Sequence, residues 1–166
     1  LNISANSAMP QLSEAAALFR EVDNTLTLQQ KLDSHDNLSG RLPRVFNGYS
    51  PTLLKSGEGE NSLFHYGPKA QSKLPKSAMV SKFMESAAEI YYIACESVDN
   101  ILEKIADAYP GVSQISTNGV DRNNITLRFL KSKQRKPELH DDHIDGSVAS
   151  LNLYQSRDGL YMGDPQ

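Results

Sequence analysis

No tryptophan occurs in this chain of 166 residues, and cysteine occurs only once, at Cys95. A single cysteine cannot close an internal disulfide, so the fold has to be held by its core, and a reducing, cytoplasmic setting is expected. Cys95 falls inside a helical pattern and is expected to be a small buried hydrophobe. No apolar run approaches the ~20 residues that a membrane-spanning helix needs, so no membrane partner is expected. Positive charge is not in excess either. Lys and Arg number 17 against 20 Asp and Glu, a net charge of −3, which lacks the broad positive field that nucleic-acid binding requires. The one basic cluster, Lys131 to Lys136, is short and runs into Pro137, so it is expected to be a solvated loop.

What is present is an ordinary globular composition, 39% hydrophobic and 22% charged, with seven Tyr and five Phe. The length suits one domain with a real core. Periodicity divides the chain into stretches. Leu12, Ala15, Ala16 and Phe19, then Leu26, Leu28 and Leu32, give interrupted helical spacing, with Asn24-Thr25 a plausible break between two short helices. From Asp33 to Pro75 the composition turns to Gly, Ser, Pro and Asn, including Asn47-Gly48-Tyr49-Ser50-Pro51, which predicts loops with a short strand near Leu63 to Tyr66. Residues 1–75 are thus expected to be helices and loops.

The strongest element is a helix predicted from Ser77 to Ala108, within a 76–110 segment. Phe83, Ala87, Ile90, Ala94, Val98, Ile101 and Ile105 hold one face, and Pro110-Gly111 ends it. Tyr91, Tyr92 and Cys95 are expected to be packing residues. After Gly119 the period changes to alternation: Ile125, Leu127 and Phe129 share one face, as do Leu151 and Leu153. Arg157-Asp158-Gly159 turns that run into Leu160-Tyr161-Met162, a predicted hairpin. Helices followed by antiparallel strands give an α+β order, with residues 120–166 supplying the strands.

Between those strands Glu138-Leu139-His140-Asp141-Asp142-His143-Ile144-Asp145 places four acids and two histidines in eight positions. In an extended chain, side chains two apart point the same way, so His143 and Asp145 can reach one metal ion while Ile144 turns back. Imidazole and carboxylate together suit a facial Fe(II) site with open positions. A bare His-x-Asp is weak evidence, and His140-Asp141-Asp142 is a competing copy. A zinc site using His140, His143 and a carboxylate matches less well, because structural zinc favours Cys and His.

The flank of His143 is more specific. His143-Ile-Asp145 with Ser150, Gly159, Leu160 and Met162 resembles, without a gap, the H-x-D-x-x-x-x-[ST]-x-L … G-L-x-[VM] segment of the isopenicillin N synthase-like family of 2-oxoglutarate/Fe(II) dioxygenases, with Asn152, between Leu151 and Leu153, at the place of the motif's first Leu. Upstream the order also agrees: Gly48-Tyr49-Ser50, then a long helix, then Leu127-Arg128-Phe129-Leu130. The likeness runs roughly from Phe19 to the end, with its specific motifs from Leu127 onward. It implies a double-stranded β-helix, or jelly roll, here partial, braced by the long helix, with His143 and Asp145 as metal ligands. It further implies Fe(II) as cofactor, 2-oxoglutarate as cosubstrate, and hydroxylation or desaturation of a small organic substrate.

In that family a second histidine ligand and an Arg-x-Ser carboxylate clamp follow the Gly-Leu-x-Met segment, and the chain reaches Gln166 before either. A fragment of a longer oxygenase domain is therefore expected. The family's Asn-Tyr cosubstrate pair is replaced by Leu130-Lys131. His35 and His65 lie upstream, outside the family order, and are expected to be loop histidines. The alternative function is a non-catalytic interaction module derived from the same fold.

Overall fold

Thr27 begins a capping box: its hydroxyl accepts from the Gln30 amide at 3.2 Å, and the Gln30 side chain accepts from the Thr27 amide at 2.9 Å. That cap separates helix α1, Ala5–Thr25, from the short helix α2, Leu28–Asp33. The computed structural model describes residues 5–37, 46–51, 54, 62–67, 73–109, 125–131 and 153–154.

Helix α1 is longer than the sequence reading, which began after Pro10. Proline forfeits a bond to the carbonyl four residues back and clashes there. Pro10 is the sixth residue of α1, so it removes the single bond to the Asn6 carbonyl near the helix start, and the helix continues through it. A break was predicted at Asn24-Thr25 and occurs just beyond, at Leu26-Thr27.

Two-residue β1, Asp36–Asn37, is followed by β2, Phe46–Tyr49, β3, Ser62–Tyr66, and β4, Leu127–Lys131. The sheet order is β1-β2-β3-β4 and every pairing is antiparallel. Strand β3 lies where a strand was predicted. Strand β2 occupies Asn47-Gly48-Tyr49, which reads locally as turn chemistry; its pairing with β3 overrides that local preference. Strand β4 confirms the predicted alternation: Phe129 is buried while Arg128 and Leu130 are exposed.

Helix α3, Ala78–Ala108, starts on Ser77, whose hydroxyl accepts from the Val80 amide at 3.2 Å. Phe83, Ala87, Ile90 and Ala94 are buried as predicted, and so are Tyr91 and Cys95. Tyr92 is not a packing residue: it is 55% exposed, because the next position along the helix turns about 100° away from Tyr91.

The core forms where α1 and α3 cross one face of the sheet. Phe19 lies 5.8 Å from Phe83 and 5.5 Å from Phe129, and Phe83 meets Phe129 edge-on at 5.0 Å. Ala15 and Ala87, both fully buried, let the two helices approach. The described architecture is thus mixed, helices on one side of a small antiparallel sheet. No described helix is long and apolar enough to cross a membrane.

Candidate functional site

Strand β4 positions the start of the segment that carries the predicted ligands. Phe129 seats it in the aromatic core, and the chain leaves the described residues at Lys131. On the far side Leu153 packs against the same core. His143, Asp145 and the competing His140 lie between, outside the described residues, as do Leu151 and the predicted turn at Arg157-Asp158-Gly159. Both flanks of the ligand segment are therefore anchored to one hydrophobic cluster.

The sheet's two faces differ in chemistry. One row, Tyr49↔Phe64↔Phe129, runs across three strands and faces α1 and α3. The neighbouring row, Gly48↔His65↔Arg128, belongs to the opposite face, since successive strand residues alternate. Leu63 pairs with Leu130 on that second face. Gly48 has φ +83°, and a Cβ there would meet the Ser34 carbonyl oxygen at 2.0 Å. The α2–β1 turn therefore lies flat on the backbone at the Gly48 end, and the Ser34 hydroxyl accepts from the Tyr49 amide at 3.1 Å. His65 is buried, at 4% exposure, whereas Arg128 beside it is exposed. The reading of His65 as a loop histidine is thus corrected: it stands in β3, paired on both sides by β2 and β4. His35 does lie in a connection, with Nδ1 3.1 Å from the Tyr49 carbonyl oxygen.

A second polar cluster was not foreseen. Asp23, at the end of α1, holds Lys31 of α2 at 2.7 Å on one carboxylate oxygen and Lys131 of β4 at 2.6 Å on the other. Lys131 also donates to Asn24 Oδ1 at 2.7 Å, and Ser62 of β3 hydrogen-bonds to the Asp23 carboxylate. Lys131 is therefore not part of a solvated basic loop. Burial alone raises the Asp23 pKa, but hydrogen bonds from Lys131, Lys31 and Ser62 outweigh it and hold the carboxyl below its ordinary value. For Tyr49, burial first and then the adjacent Asp23 carboxylate push the hydroxyl above its ordinary range, so it stays protonated. Lys31 Nζ also lies 5.4 Å from the Tyr49 ring centroid. With one ammonium on each oxygen the carboxylate stays ionised, and its work is to tie α1, α2 and β4 together.

Among the described residues no group of three His, Cys, Asp or Glu side chains is placed to hold a metal ion. Comparison with protein families, with curated proteins and with solved structures found no match.

Proposed function

We propose that this chain belongs to a non-haem Fe(II)- and 2-oxoglutarate-dependent oxygenase that hydroxylates or desaturates a small organic substrate. The observation that carries the reading is the spacing of His143 and Asp145 with its gapless flank to Met162. The described fold agrees in the order of its parts: a long helix braces one sheet face, and a strand seated in the core leads into the ligand segment.

The donor set fits the metal. A neutral imidazole and a carboxylate are the ligand types of a facial Fe(II) site that keeps positions open for cosubstrate and oxygen. Fe(II) held there would supply oxygen activation coupled to the decarboxylation of 2-oxoglutarate to succinate and CO2. His143 and Asp145 would hold and orient the ion, and the anchors at Phe129 and Leu153 would restrain the segment that bears them. In the jelly roll that this reading implies, the sheet face opposite α1 and α3 becomes the inner wall.

The test is consumption of 2-oxoglutarate by the full chain with added Fe(II) and ascorbate. Turnover that disappears in His143→Ala and in Asp145→Ala is the expected result. Undiminished turnover in either variant would sink the proposal.

A further inference from the structure

We draw no further inference here: the strongest candidate, the cleft between β2, β3 and α3 lined by Gly67 and Met84, where the buried Asn47 amide nitrogen has no hydrogen-bond partner among the described residues, has no room for even a water-sized molecule.

Discussion

Replacing Asp23 with Asn removes one negative charge from between two lysines while keeping the shape of the side chain. Taking one member out of a fully buried ion pair costs about 3–5 kcal/mol, because the remaining charge stays desolvated. The Asp23 side chain is 2% exposed, but the Lys31 and Lys131 side chains keep 12% and 17%, so each ammonium can regain some water. The low end, about 3 kcal/mol, is therefore expected for Asp23→Asn. Lys131→Met should cost less, since Asp23 retains Lys31 and Ser62. The assay is urea unfolding followed by circular dichroism near neutral pH, read from midpoints with the slope unchanged. Asp23 has a lower pKa folded than unfolded, so its contribution is complete above the ordinary value of 3.8 and is lost as pH falls through the folded value. The gap between wild type and Asp23→Asn should accordingly stay constant above pH 5 and close as the medium is made more acid than 3.8. A loss below about 1 kcal/mol at neutral pH, or a gap that does not close in acid, would refute the assignment of Asp23 as the tie between α1, α2 and β4.

Gly48→Ala should destabilise by about 2 kcal/mol or more in a thermal melt, since an L-residue is strained at φ +83° and its Cβ would strike the Ser34 carbonyl. A loss under about 0.5 kcal/mol would contradict that close approach. Phe129→Ala should cost about 3–5 kcal/mol, because the ring stands between Phe19 and Phe83 and a cavity would remain. The same denaturation assay checks it, and a surface-like loss would place β4 outside the core.

Which parts could be read from the sequence follows from how local their causes are. Helix α3 was legible because one apolar face persists from Phe83 to Ala94 and Ser77 caps its start, both short-range signals. Strand β4 was legible from its alternation. Strand β2 was not, because Asn47-Gly48-Tyr49 carries turn chemistry and only pairing with His65 and Phe64 makes it a strand. Nor could the Asp23 cluster be found: Lys131 lies 108 residues from Asp23, and nothing local distinguishes it from the basic run that follows. Tyr92 was misplaced for a different reason. Two adjacent tyrosines in a helix look alike in composition, yet only Tyr91 turns inward, with its hydroxyl donating to the Ile125 carbonyl at 3.4 Å. For the candidate metal site, the sequence offers His143 and Asp145, which lie outside the described residues, and the described fold shows only that Phe129 before them and Leu153 after them pack in one core.

The most direct measurement of the central claim is an anaerobic titration of the full chain with Co(II), followed by visible absorption, for wild type, His143→Ala and Asp145→Ala. Saturable one-site binding by wild type that is lost in both variants is the predicted result. Wild type without a saturable site, or binding that survives both substitutions, would contradict it.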